Sequence, residues 1–312
     1  MEQVVLGGTG LTTSVAGLGC GGHSRLGQAT GRSEKESIEI VKRALDLGVN
    51  FIDTARVYGT EEIVGKGIKE RRAEVVLSTK APSLSKEGPV NAAQLRRTLE
   101  ESLGSLQTDT VEVFHLHGVT DEHYDHCIDV HVPEMLRMRD EGKIRFLAIS
   151  EQFGRDTGHV MLSRAIKDDC WDVMMVGFNL LNPSARDRVF PMTMEKDIGI
   201  LVMFAVRRTL GRPEEIRRVI GELVSEGLID ADGVDLEDPL GFLVGPSGAS
   251  SVVDAAYRFT RHEPGTHVVL TGTGSIEHLE ENVASISRDP LPSKDLERLR
   301  HLFGRLDSLS GN

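Results

Sequence analysis

Two patterns of apolar positions alternate along the chain. Short continuous apolar runs end near Cys20, Asp53, Lys80, His117, Ser150, Val176, Phe204 and Thr271, and between them apolar residues recur three and four apart. The first pattern reads as strands buried on both faces, the second as helices with one apolar stripe. The spacing predicts helices over 33–47, 61–70, 91–106, 132–141, 156–167, 184–197, 213–226 and 276–287. Several begin on a start signal, such as Ser33 with a Glu three residues on, or Pro213 in a first turn. Eight strands separated by helices predict an α/β fold, a (β/α)8 TIM barrel. Ahead of it, Val4-Val5-Leu6, a turn over 7–10 and residues 11–16 predict a β-hairpin that plugs the barrel floor. Behind it, 293–306 predicts an extra C-terminal helix on the outside, and 309–312 a frayed ending. With no internal sequence repeat, the 312 residues read as one domain over 1–312.

Composition narrows the partners. A net charge of −12, from 36 basic and 48 acidic residues, argues against a nucleic-acid or anionic-membrane partner, because both need basic faces. No apolar run approaches a membrane span, and no basic segment followed by an apolar one opens the chain, so the expectation is a cytoplasmic protein. Cys20, Cys127 and Cys170 are few and widely spaced, which suits reduced thiols. Low aromatic content, with Trp171 the only Trp, argues against a large aromatic-lined pocket; Tyr124 and Phe153 are the loop aromatics that bear on it. Three long loops, 21–32, 118–131 and 227–248, are expected on the barrel face that carries the site.

The candidate chemistry stands at strand ends. Asp53 ends the run Phe51-Ile52, Tyr58 lies in the loop beyond it, Lys80 closes 75–80 and His117 closes 111–117. On parallel neighbouring strands these four make a proton-transfer site. A hydride delivered to a carbonyl leaves negative charge on oxygen, and a proton must meet it. Tyr58 serves as donor, Lys80 as the cation that lowers its pKa, Asp53 as the group that holds Lys80 charged, and His117 as the residue that orients the carbonyl. His115, two residues earlier on the same strand face, reads as a satisfied core histidine. The run His115, His117, His123, His126, Cys127 and His131 matches no closed zinc spacing, and no metal is expected.

The block Gly48 to Gly65 with Asp53 and Tyr58, Ser78-Thr79-Lys80, Leu116-His117, Phe178-Asn179-Leu180-Leu181-Asn182, and Gly272-Thr273-Gly274-Ser275 followed by Glu277 to Asn282 resemble the aldo-keto reductase family over nearly the whole chain. The resemblance implies NADP or NAD bound extended across the C-terminal face of the barrel, with Asp53, Tyr58, Lys80 and His117 as the catalytic tetrad and a small or sugar-like carbonyl or alcohol as substrate. It implies cofactor contacts from Ser150, from Phe178 as the ring stacked on nicotinamide, from Gly272, Thr273, Gly274, Ser275 and His278 around the adenosine ribose, and from Glu281 and Asn282 at the adenine. The chain departs from the family's pattern in four places. Gly272 stands where a Lys is usual, His278 where an Arg is frequent, Glu151 where an Asn follows Ser150, and Met175 where a Gln is usual. The loop after the seventh strand is also unlike the family's, and its Arg207 and Arg208 are candidates to clamp the diphosphate. Two other readings stay open on the same residues: a non-redox or cofactor-retaining lyase or isomerase, suggested by the lost amide contacts, and a regulatory binding protein resembling channel beta subunits. The resemblance leaves the oligomeric state open.

Overall fold

A computed structural model describes residues 1–246 and 248–311. The chain opens with an antiparallel pair, β1 (Gln3–Val5) and β2 (Thr12–Ser14). The barrel strands follow as β3 (Ala16–Gly19), β4 (Phe51–Asp53) and β5 (Val76–Pro82). A small hairpin, β6 (Leu84–Ser85) and β7 (Gly88–Pro89), interrupts them. The barrel then continues through β8 (Val111–Val119), β9 (Ile144–Glu151), β10 (Val173–Gly177), β11 (Gly199–Met203) and β12 (Val268–Thr271). The eight barrel strands are parallel and close in chain order, β12 pairing with β3. This is the expected (β/α)8 barrel, with every strand end within about two residues of its sequence-based position.

The helices pack outside. They are α1 (Glu34–Asp46), α2 (Glu61–Ile68), α3 (Ala92–Leu106), a single turn α4 (Tyr124–His126) and α5 (Val132–Asp140). Next come α6 (Val160–Ala165), α7 (Ala185–Arg188) and α8 (Phe190–Glu195). The last four are α9 (Pro213–Ser225), α10 (Val252–Arg261), α11 (Ile276–Ile286) and α12 (Ser293–Phe303). The start of α1 is a complete capping box. Ser33 Oγ accepts the Glu36 amide, and the Glu36 carboxylate accepts the Ser33 amide, worth about 1 kcal/mol.

Inside the barrel, Phe51, Val76, Val113, Val173, Leu201 and Val268 form an apolar layer. Leu6 and Leu11 of the first hairpin join it from below, and Gly8 donates to the Asp197 carbonyl just ahead of β11, so the hairpin plugs the floor as its sequence suggested. The layer ends where Asp53, Lys80 and His117 begin.

Five sequence expectations need correction. The helix expected over 156–167 is only Val160–Ala165, because His159 takes a left-handed conformation and the Asp156 carboxylate caps the amides of Val160 and Met161. The helix over 184–197 breaks at Val189, which has φ −120°, just before Pro191 in the first turn of α8. The segment 249–265 holds an unassigned helix, α10, capped by Ser251. Loop 118–131 is wound into short helical turns running into α5. The ending is pinned rather than frayed: Asn182 Nδ2 donates to the Leu309 carbonyl at 2.9 Å and Thr209 N to that of Gly311 at 3.2 Å. Asn312, the last residue of that ending, and Ser247 in loop 227–248 lie outside the described residues. Among the described residues no helix is long and apolar enough to cross a membrane.

Candidate active site

The strand register brings the four residues of the proton-transfer reading together. Gly19 pairs with Asp53 between β3 and β4, Asp53 with Ser78 between β4 and β5, and Pro82 with His117 between β5 and β8. Their side chains therefore crowd one end of the barrel. Lys80 is fully buried, and its Nζ donates to Asp53 Oδ2 at 2.5 Å and to the Thr54 carbonyl at 2.8 Å. Ser78 Oγ donates to the other Asp53 oxygen at 2.8 Å, so the carboxylate is held from two sides. Burial lowers the Lys80 pKa, but the charges of Asp53 and Tyr58 act more strongly together and leave it raised; the ammonium keeps its charge.

Tyr58 comes from the short turn Arg56–Tyr58 beyond β4. Its ring packs close against Gly21, where an added Cβ would stand 2.5 Å from a ring carbon. Only glycine allows that approach. The hydroxyl is 3.4 Å from His117 Nε2, and Lys80 Nζ sits 5.3 Å from the ring centre. Burial raises the Tyr58 pKa above its ordinary value of 10.0, while Lys80 pulls it down against that rise. The net shift is upward, opposite to the lowering expected from Lys80 alone, so Tyr58 holds its proton at neutral pH. Burial and the Lys80 charge lower the His117 pKa to about 3. His117 is thus a neutral hydrogen-bonding group. His115, two residues earlier on β8, is fully buried, and burial and the Lys80 charge hold it well below 6.5.

From Tyr58 and His117 a cleft of about 1050 Å³ runs across the barrel mouth to the N-terminus of α11. Ser150, Arg207, Arg208, Gly272, Thr273, Gly274, Ser275 and His278 all border it. An added Cβ on Gly274 would lie 2.7 Å from Gly27 Cα, so two loop backbones meet closely at the far end. Arg32 reaches the same point, its Nε donating to the Gly274 carbonyl at 2.5 Å, and brings a cation that 272–275 lacks. Arg207 lays its guanidinium 3.9 Å above the ring of Phe204, a non-glycine residue at φ +68° that turns the chain into the cleft after β11.

Three sequence-assigned cofactor contacts lie elsewhere. Phe178 is fully buried, stacked on Phe259 and edge-on to Phe190, away from the cleft; packing in the outer core has claimed the ring. Glu281 is exposed on α11, and Asn282 Nδ2 is taken by Thr271 Oγ1 at 2.9 Å; neither borders the cleft. The aromatic wall is instead Phe153, which meets Phe204 edge-on with ring centres 5.3 Å apart. Tyr124 is buried between Asp168 and Trp171 as a structural residue. Of the three long loops, 21–32 supplies much of the cleft wall, 118–131 only Gly118, and 227–248 none of the described lining; the last packs on α12 through Arg298 over Phe242. His126 and His131 both donate to the Val90 carbonyl, and among the described residues no three His, Cys, Asp or Glu gather as a metal site.

Sequence comparison adds an independent line. Residues 17–303 match the Aldo/keto reductase family. The chain is 26% identical to L-galactose dehydrogenase of Arabidopsis thaliana, over 98% of this chain and 95% of that protein. It is 28% identical to the aldo-keto reductase YhdN of Bacillus subtilis, over 90% and 88%. Among solved structures it resembles aldo-keto reductase AKR11C1 from Bacillus halodurans in its holo form, with TM-score 0.75 and 22% identity over the whole of both chains. It also resembles an aldo/keto reductase from Klebsiella pneumoniae in complex with NADP and acetate, with TM-score 0.70 and 21% identity over 97% and 96%. With the barrel, the buried Asp53–Lys80 pair and the match over 17–303 all in agreement, the chain belongs to the aldo/keto reductase family of oxidoreductases.

Proposed function

We propose that this protein interconverts a small or sugar-like carbonyl compound and its alcohol with NADP(H), Tyr58 giving and taking the proton. The observation that carries the reading is the cluster itself: a protonated tyrosine hydroxyl 3.4 Å from a neutral histidine, with a buried ammonium 5.3 Å from its ring, at the head of a cleft. The residues fit a dinucleotide, since the cleft runs from this cluster to loop backbones and a helix N-terminus suited to phosphate. The similar Klebsiella pneumoniae structure is a complex with NADP, and Arg32 offers a cation at the far end of the cleft here.

The bound cofactor supplies the hydride in reduction and accepts it in oxidation. His117 Nε2 and the Tyr58 hydroxyl converge on one point and hold the carbonyl oxygen there. As that oxygen gains electron density, Tyr58 transfers its proton to it, and Lys80 stabilises the phenolate left behind. Asp53 keeps Lys80 charged and fixed through each turnover. In the oxidative direction the phenolate takes the alcohol proton back. The cleft carries few aromatic residues, which suits small or polar substrates.

The test is NADPH oxidation over a panel of small aldehydes, and NADP⁺ reduction over sugar-like alcohols, with wild type and Tyr58→Phe. Loss of about 100-fold to 10,000-fold in kcat, with cofactor affinity kept, is the expected outcome. Undiminished turnover by Tyr58→Phe would remove Tyr58 from the chemistry.

A further inference from the structure

Glu151 and Gln152 follow Ser150 at the end of β9, and their side chains meet different fates. Glu151 is fully buried, its Oε1 accepting the Gly177 amide at 2.7 Å and its two oxygens lying 3.1 and 3.0 Å from His159 Nδ1. Gln152 stays half-buried and borders the cleft. Strand alternation carried one residue past β9 gives it the face of Ser150, opposite to Glu151. Its backbone is fixed: its N–H donates to the Val119 carbonyl at 3.3 Å, and its carbonyl accepts the amides of Arg155 and Asp156 at 2.8 and 3.1 Å. Its side-chain amide has no hydrogen-bond partner among the described residues, and no other Asn or Gln of those residues borders the cleft.

The strand register relates that amide to the reacting groups. Leu116 pairs with Ile149 and Val119 with Glu151, so His117 and Gly118 bulge opposite Ser150 alone. Gln152 therefore starts two residues beyond the level of His117, about 7 Å farther toward the barrel mouth and one strand over. The ground between is open. A Cβ added to Gly118, or to Gly154 in the turn after Gln152, would meet no atom outside its chain neighbours within 4 Å. A carbonyl oxygen held by Tyr58 and His117 leaves the rest of its molecule in this space, with Gln152 at the rim.

We propose that Gln152 is a specificity-determining residue of this site, its side-chain amide bonding a hydroxyl one or two carbons away from the substrate carbonyl. The inference rests on the reductase reading above and narrows its substrates to hydroxylated carbonyl compounds. A hydroxyl both gives and takes a hydrogen bond, and an amide answers both, whereas the guanidinium groups of Arg207 and Arg208 on the same cleft only donate. Because the amide is half-buried rather than sealed from water, the discrimination it gives is about tenfold, well short of that of a closed polar pocket.

The experiment compares kcat/KM for NADPH-dependent reduction of propanal, 2-hydroxypropanal and 3-hydroxypropanal by wild type and Gln152→Met, with NADPH affinity measured alongside by fluorescence titration. Wild type should favour at least one hydroxylated aldehyde over propanal by about tenfold, and Gln152→Met should erase that preference while keeping propanal within about threefold and NADPH affinity within about twofold. A loss shared by all three aldehydes would give the amide to the fold, and a loss of NADPH affinity would give it to the cofactor; either overturns the inference. So does a wild type that reduces propanal as well as its hydroxylated counterparts, which leaves the reductase reading intact. Wild type that reduces none of the three overturns this inference together with the reading of small carbonyl substrates beneath it. If Gln152→Met does not fold, Gln152→Leu carries the same measurement, because it too is apolar.

Discussion

Replacing Lys80 by Met removes a charge that faces both Asp53 and Tyr58, and the two consequences are separable. The first concerns folding. Asp53 and Lys80 form a buried pair at 2.5 Å with almost no solvent access, so removing one partner strands the other; about 3–5 kcal/mol of stability should be lost, read by urea denaturation. The second concerns chemistry. At an effective dielectric of about 20, a unit charge 5.3 Å from the ring stabilises the Tyr58 phenolate by about 3 kcal/mol, or about two pKa units. Proton transfer in the transition state should therefore slow by about 100-fold. In alcohol oxidation, where Tyr58 must be ionised, the rising limb of the pH profile should move upward as well. Stopped-flow decay of NADPH absorbance with saturating aldehyde measures the rate, and the double variant Asp53→Asn with Lys80→Met separates the effects. With neither charge left, stability should recover in large part while the rate stays low. A folded Lys80→Met that transfers hydride within about fivefold of wild type would refute the electrostatic role, and so would a double variant whose rate recovers with its stability.

Two further predictions follow from the same geometry. Arg32→Ala removes the cation beside Gly274 and should weaken NADPH by about tenfold while leaving NADH within about twofold; equal effects on both would place Arg32 outside any 2′-phosphate contact. His117 has a folded pKa of about 3 against an ordinary 6.5, so the unfolded chain binds the extra proton between those values. Its contribution to stability is complete above about pH 6.5 and declines by about 1.4 kcal/mol per unit as pH falls toward 3. Unfolding free energies measured from pH 7 to 5 should fall with acid, and His117→Gln should flatten the slope by one proton; an unchanged slope would contradict the buried neutral state.

Much of this molecule could be read before its fold was seen, and the reason is where the information lies. A strand buried on both faces is largely apolar, so the place where such a run gives out marks its end: Asp53 is the first polar residue after Phe51-Ile52, and Lys80 and His117 stand within two residues of the ends of β5 and β8. Their chemistry and their place in the fold share one signal. Tyr58 needed only a short tether from Asp53. The failures fall where side-chain destinations depend on distant packing. Phe178 and Phe153 look alike in sequence, but Phe259 and Phe190 draw the first into the outer core, and Gly177, with no side chain, lets the second lie against the cleft wall. Arg32 reaches Gly274 across 242 residues of chain, a separation at which periodicity carries nothing. Glu151 was visible as a departure from the expected Asn, but its partner His159, eight residues on and left-handed at the start of α6, was not. Local pattern finds Asp53, Lys80 and His117 because they sit near the ends of regular elements. Much of the remaining cleft wall, Arg32 and Arg207 among it, comes from loops whose placement is set by what the closed barrel brings together.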